Sequence, residues 1–220
     1  MWNGETEWDM ERILPGDALI VVDVQNDFCP GGALAVPDGD AVVPVINRLM
    51  RIFPIVVATQ DWHPEGHISF ASRHEGKNPF EVIEIQGTEQ MLWPDHCVEG
   101  TAGAAFHPGL DATPLRCVLR KGTNREVDSY SAFAENDRKT TTGLAGLLRE
   151  LGVKRIFVSG LATDVCVLAT ALDGHSAGFQ VAVLEDACRP VDVPPGNLDR
   201  ALEEMRGRGV LILQSDELQD

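Results

Sequence analysis

Six short apolar runs recur along the chain, and helical patterns separate them. Residues 18–22 (ALIVV), 55–59 (IVVAT) and 156–158 (IFV) are nearly continuous in hydrophobicity and end in polar or turn-forming residues. Runs of this kind predict strands covered on both faces, as in the interior of a parallel sheet. Residues 118–120, 181–184 and 210–213 predict three more strands, the last of the six closing the pattern. Periodic apolar stretches predict helices over 41–52, 140–151 and 197–206, with Gly152 as a fitting C-cap for the second. Another helix follows Thr163 and Asp164, both suited to N-capping, so Cys166 is expected in its first turn. Residues 71–106 show little periodicity and many Gly, Pro and His, which predicts a long functional loop.

Strands alternating with helices predict a three-layer α-β-α domain of the α/β class, with a mostly parallel sheet of about six strands. In such sheets ligands bind beyond the carboxyl ends of the strands. Asp23, Asp61, Lys121 and the turn before Cys166 each follow a predicted strand, so all four are expected on one edge of the sheet.

Length and composition narrow the picture. With 220 residues and 44% apolar content, the chain suits one well-buried core, expected over 17–220 after an N-terminal extension over 1–16. Trp2 and Trp8 suit either packing on a neighbouring copy, which would make a homo-oligomer, or a loosely docked terminus. A formal charge of -16 argues against nucleic acid and anionic membrane as partners. No apolar run approaches the roughly 20 residues of a membrane span, and residues 1–12 have neither part of a secretion signal, so a cytoplasmic location is expected. Five cysteines without a CxxC pair favour reduced thiols over a disulfide framework.

Candidate chemistry falls into three groups. At a helix start, Cys166 would feel unpaired N–H groups that favour a thiolate, although a buried cysteine also serves as a small core residue. Asp23 would take its proton and Lys121 would hold the carboxylate; alternatively these two form a structural ion pair at the sheet edge. Asp61 and His63 lie two apart, which in an extended segment points both side chains one way, and His96 would complete a three-ligand site for a divalent metal. His67 is a weaker fourth candidate, because Pro64 and Gly66 break any helix that would align it with His63. Phe28, Trp93 and Tyr130 fall in loops and would either sandwich a flat ring or pack a lid.

Taken together, these blocks resemble the isochorismatase-like cysteine hydrolases and, within them, the nicotinamidases. The resemblance rests on DVQNDFCPGGAL from Asp23, QDWHPEGHISF around Asp61, WPDHCVEGTAGAAFHP from Trp93 and GLATDVCVLATA from Gly160, with KGTNREVDSYSAF from Lys121 as a fifth block. It implies a catalytic triad of Asp23, Lys121 and Cys166, and a divalent metal (zinc, iron or manganese) on Asp61, His63 and His96. It further implies a cis peptide between Leu161 and Ala162, with the N–H groups of Ala162 and Cys166 as an oxyanion hole. Phe28, Trp93, Tyr130 and Leu161 would bind the small-molecule substrate, nicotinamide, which is hydrolysed to nicotinate and ammonia through a thioester; pyrazinamide would be a further substrate. The D-x-H pair with WPxHC sets nicotinamidases apart from metal-free relatives acting on N-carbamoyl, ureido or isochorismate-like compounds. Such a hydrolase, or a catalytically silent module on the same fold, is the competing reading.

Overall fold

A computed structural model describes residues 12–85 and 87–219; Trp2 and Trp8 lie outside them. The chain enters a central strand, β1 (Asp17–Val22), whose five apolar residues are wholly buried because layers cover both faces. Helix α1 (Val42–Leu49) returns it to β2 (Ile55–Asp61). A hairpin, β3 (Val82–Ile85) with β4 (Thr88–Met91), interrupts the expected irregular loop. Its period-2 pattern, VIEI followed by a Gly87 turn, is present in the sequence, but Val82 is 52% exposed, so no continuous apolar run announces it. The rest is β5 (Cys117–Lys121), α2 (Leu144–Glu150), β6 (Arg155–Leu161), α3 (Leu168–Ser176), β7 (Gln180–Arg189), α4 (Asn197–Gly207) and β8 (Leu211–Leu213).

Among the described residues the main sheet has six strands in the order β5-β2-β1-β6-β7-β8, every neighbouring pair parallel. Chain order reverses between β1 and β6, which opens a crevice beyond their carboxyl ends. Alternate residues of the strands feed two cores. Leu19, Val21, Val56 and Phe157 pack with Ile46 and Leu49 of α1. Ile20, Val57, Ile156 and Val158 pack with Leu148, Ala171 and Met205 from the other three helices. At the amino ends, Arg155 Nε donates to Asp17 Oδ1 at 2.7 Å between register partners, which pins β1 against β6. Just before β1, the Ile13 N–H donates to the Gln219 carbonyl at 3.1 Å. No helix among the described residues is long and apolar enough to cross a membrane.

Three local expectations are corrected. Helix α2 starts at Leu144, not 140, because the segment before it pairs back along 133–135, and the Leu144 N–H then donates to Thr142 Oγ1 at 3.2 Å. Gly152 does follow α2 at φ 74°. Strand β6 runs on through Ser159 and Gly160 to Leu161. Gly160 permits this: it pairs with Val22 at φ 116°, and a Cβ there would stand 2.0 Å from the Val22 carbonyl oxygen. Finally, Cys166 does not sit in an α-helical first turn. Residues Thr163–Val167 form a π turn, closed by the Val167 N–H on the Ala162 carbonyl at 3.1 Å, and α3 begins after it.

The seam between β1 and β6 gives a stability prediction. Gly160→Ala should cost about 3 kcal/mol or more, measured as a lower urea midpoint at unchanged slope. A cost below about 1 kcal/mol would mean that the two strands part easily here.

Candidate active site

Four side chains meet at the carboxyl ends of β1, β2, β5 and β6, as the strand pattern predicts. Asp23 follows β1 directly at φ 49°, a conformation Asp tolerates better than most residues, and its side chain is wholly buried. Thr59 of β2 holds it twice, accepting from the Asp23 N–H at 3.2 Å and donating to Oδ1 at 2.7 Å. Lys121, fully buried at the end of β5, pairs with Asp23 Oδ2 at 2.8 Å as an ion pair and donates to Asp61 Oδ1 and to the Ser129 carbonyl, the latter at 3.1 Å. Its Nζ stands 3.5 Å from Cys166 Sγ. The acceptor atoms of Asp23 and Asp61 and the sulfur lie within 4.8 Å of one another.

The charges settle unevenly. Burial pushes the Asp23 carboxyl up, Lys121 pulls it partly back, and it comes to about 6. Burial acts the same way on Asp61, but Lys121, His63 and His96 together outweigh it and hold the group well below the usual carboxylate range. Burial opposes the Lys121 charge, yet two carboxylates keep its pKa well above the ordinary lysine value. Burial also raises the Cys166 thiol far above its usual value; Lys121 lowers it, and the two carboxylates add to the rise. These shifts favour the Cys166 thiol over the thiolate that a helix start would favour.

Beside this cluster, His63 Nδ1 donates to the Gly122 carbonyl at 3.0 Å and His96 Nδ1 to the Pro94 carbonyl at 2.7 Å. In the neutral ring each bond selects the tautomer that leaves the lone pair on Nε2. Those two nitrogens face Asp61 Oδ2 at 3.6 and 3.9 Å. Two imidazole nitrogens and one ionised carboxylate, converging and buried, fit a divalent metal with open positions, in whose absence, burial notwithstanding, Asp61 draws His63 toward its protonated form. His67 stacks on His63 at 4.2 Å, but its Nε2 donates to the Val127 carbonyl at 3.1 Å and its Nδ1 accepts from Ser69 Oγ at 2.8 Å, so neither nitrogen is free.

Cys166, Asp61 and His96 open onto a cavity walled by Phe28, Trp93, Tyr130, Val165 and Val191. Trp93 Nε1 donates to the Tyr130 hydroxyl at 3.2 Å, and Phe28 packs on His96 at 5.5 Å. All three aromatic residues line this cavity. Ala162 also borders the cavity, and the Leu161–Ala162 peptide is cis. Leu161 is the exception among the candidates: its side chain is wholly buried in the core beside α1.

Several participants escaped the sequence reading. Gln25 clamps Asp61, its Oε1 accepting from the Asp61 N–H and its Nε2 donating to the Asp61 carbonyl, each at 2.8 Å. Asp27 Oδ2 accepts from the Cys97 N–H at 2.7 Å and so holds the residue after His96, itself at φ 45°. Asp128 borders the cavity and accepts from Gln90 Nε2 at 2.6 Å. Gln25 and Thr59 each sit two positions from a candidate residue, a spacing that could have singled them out.

Residues 17–217 match the profile of the isochorismatase domain family. A nicotinamidase of Acinetobacter baylyi is 51% identical over 198 residues, spanning 90% of this chain and 92% of that protein. The solved nicotinamidase/pyrazinamidase of Acinetobacter baumanii superposes with a TM-score of 0.92 at 50% identity, covering 94% of this chain and 99% of that one. The pyrazinamidase of Pyrococcus horikoshii, solved in complex with zinc, gives a TM-score of 0.74 at 43% identity, covering 91% of this chain and 99% of that one.

The donor geometry predicts that chelator-stripped protein rebinds one Zn²⁺ or Co²⁺, and that Asp61→Ala does not, by equilibrium dialysis and elemental analysis. His67→Gln should keep metal affinity within about tenfold of the parent. Full occupancy in Asp61→Ala would move the site elsewhere.

Proposed function

The chain belongs to the isochorismatase family, and within it we propose that the protein is a nicotinamidase, an amidohydrolase converting nicotinamide to nicotinate and ammonia in NAD salvage. The reading rests on one observation: the Cys166 thiol, the Lys121-bound Asp23 carboxylate and the Asp61, His63 and His96 donors meet beside one ring-walled cavity. The nicotinamidases of comparable length support it. Hydrolases of N-carbamoyl, ureido or isochorismate-like substrates fit less well, since those compounds offer no ring nitrogen to a metal. A silent module would have no use for a base, an ammonium and a thiol in mutual contact.

On this reading the pyridine ring lies among Phe28, Trp93 and Tyr130, with the carboxamide carbon at Cys166 Sγ. When bound, a divalent metal on Asp61, His63 and His96 supplies a Lewis-acid anchor for the ring nitrogen and draws electron density from the ring. Asp23 takes the thiol proton as sulfur adds to the carbonyl carbon, and the N–H groups of Ala162 and Cys166 hold the oxyanion. Lys121 keeps Asp23 aimed and offsets the negative charge that builds up. Asp23 then gives its proton to the departing ammonia, leaving a thioester. Water deprotonated by Asp23 releases nicotinate and restores the thiol. Pyrazinamide, with one more ring nitrogen, suits the same cavity. We assign zinc as the metal, on the zinc-bound pyrazinamidase and a mixed N and O ligand set. The cytoplasm is the compartment that suits five unpaired cysteines.

Purified protein should release ammonia from nicotinamide, lose that activity on chelation and regain it with metal; Cys166→Ala should abolish turnover while still binding nicotinamide by calorimetry. Absence of ammonia release with every metal tested would refute the reading. The base assignment has a pH signature. Asp23 acts as its carboxylate, so kcat/KM should fall as pH drops through about 6. Thr59→Val removes a hydrogen bond to that carboxylate, which raises its pKa and should move the acid limb up by about one pH unit. An unmoved limb would assign it to another group.

A further inference from the structure

The π turn that carries Cys166 is tied to the far wall of the cavity through one carboxylate that the mechanism leaves unused. Asp164 is 5% exposed, two residues before the nucleophile. Instead of capping its own helix, as its position predicts, it reaches the loop between β7 and α4. Its Oδ1 accepts from the Val191 N–H at 2.9 Å, and its Oδ2 accepts from the Asp192 N–H and from Asn197 Nδ2, both at 2.9 Å. Val191 borders the cavity together with Val165 and Cys166. Asp192 is held at φ 52°, and its own carboxylate accepts the Leu198 N–H at 3.0 Å in the first turn of α4. Three donors, two from the loop and one from the first residue of α4, therefore converge on two oxygens. A carboxylate of this length accepts all three, whereas an amide would turn an N–H toward an N–H.

Resting on the nicotinamidase reading, we infer that Asp164 is a positioning residue that sets substrate selectivity: it fixes how far the Val191 wall stands from Cys166, and so the width available to a ring. An apolar wall discriminates against an added methyl group only when its backbone cannot retreat. Here the backbone N–H groups of Val191 and Asp192 are both held by Asp164. Loss of the carboxylate frees the wall while Asp23, Lys121 and Cys166 keep their own contacts.

The test compares parent, Asp164→Asn and Asn197→Ala on nicotinamide and its ring-methylated derivatives, alongside amide hydrogen exchange at 191–192. In Asp164→Asn the preference for nicotinamide over the methylated amides should shrink by about tenfold or more, through KM, with kcat for nicotinamide within about threefold. Exchange at Val191 and Asp192 should speed up by about tenfold or more. Asn197→Ala, which removes one of the three donors, should shift both readouts the same way by less, and decides the matter if Asp164→Asn does not fold. Unchanged selectivity and exchange overturn the inference. So does an equal fall of kcat on every amide with KM unchanged, since the carboxylate would then act on the nucleophile turn and not on the wall. If the parent releases no ammonia from nicotinamide, the functional reading fails and the selectivity claim falls with it; exchange in the two variants still decides whether Asp164 holds the wall.

Discussion

One ammonium group, that of Lys121, serves two carboxylates in a pocket from which its own side chain is entirely hidden from water. Three buried charges would be costly if any one lacked a partner, and removing a partner from such a set costs more than forming the set returns. With both carboxylates ionised, the cluster carries one negative charge in excess. Two features absorb it. Asp23 is raised to a value at which it can exchange a proton near neutrality, and Asp61 turns its second oxygen toward two imidazole nitrogens arranged to hold a cation. Burial thus raises Asp23 while the shared ammonium, with His63 and His96, holds Asp61 low, and β2 beside β5 delivers Asp61 and Lys121 as register partners.

Much of this arrangement was legible in the chain. The six apolar runs gave the strands, and the polar residue after each of the first strands gave the edge at which Asp23, Asp61, Lys121 and Cys166 meet. Such inference works because a parallel sheet buries its strands on both faces, so their ends stand out. It fails where the decisive partner is distant in sequence. Asp164 looks like a helix cap until the loop 27 residues onward supplies its donors. Leu161, assigned to the substrate, faces the core because strand β6 runs on past Gly160. The hairpin over 82–91 alternates correctly, yet its half-exposed face has too little apolar content to be seen against a loop.

The turn at Cys166 shows the same limit. Residue type predicts a helix there, and a helix does follow. What composition cannot predict is the extra residue in the first turn, since it depends on the Ala162 carbonyl accepting both the Val165 and Val167 N–H groups. That carbonyl is placed by the end of β6, which is placed in turn by the glycine seam with β1.

The buried thiol has a consequence for the protein's life among oxidants. Peroxides attack the thiolate, and attack becomes slow when the proton is held. Burial raises the thiols of Cys29, Cys97, Cys166 and Cys188 alike. Cys166 differs in its neighbours: its sulfur lies within 4.8 Å of carboxylate oxygens of Asp23 and Asp61 and 3.5 Å from the Lys121 ammonium. In the proposed mechanism, oxidative damage and turnover draw on different forms of one sulfur: the first needs a standing anion, the second only a momentary one. A thiol kept protonated by burial offers peroxides little anion between turnovers, and the same dryness raises the carboxyl of Asp23.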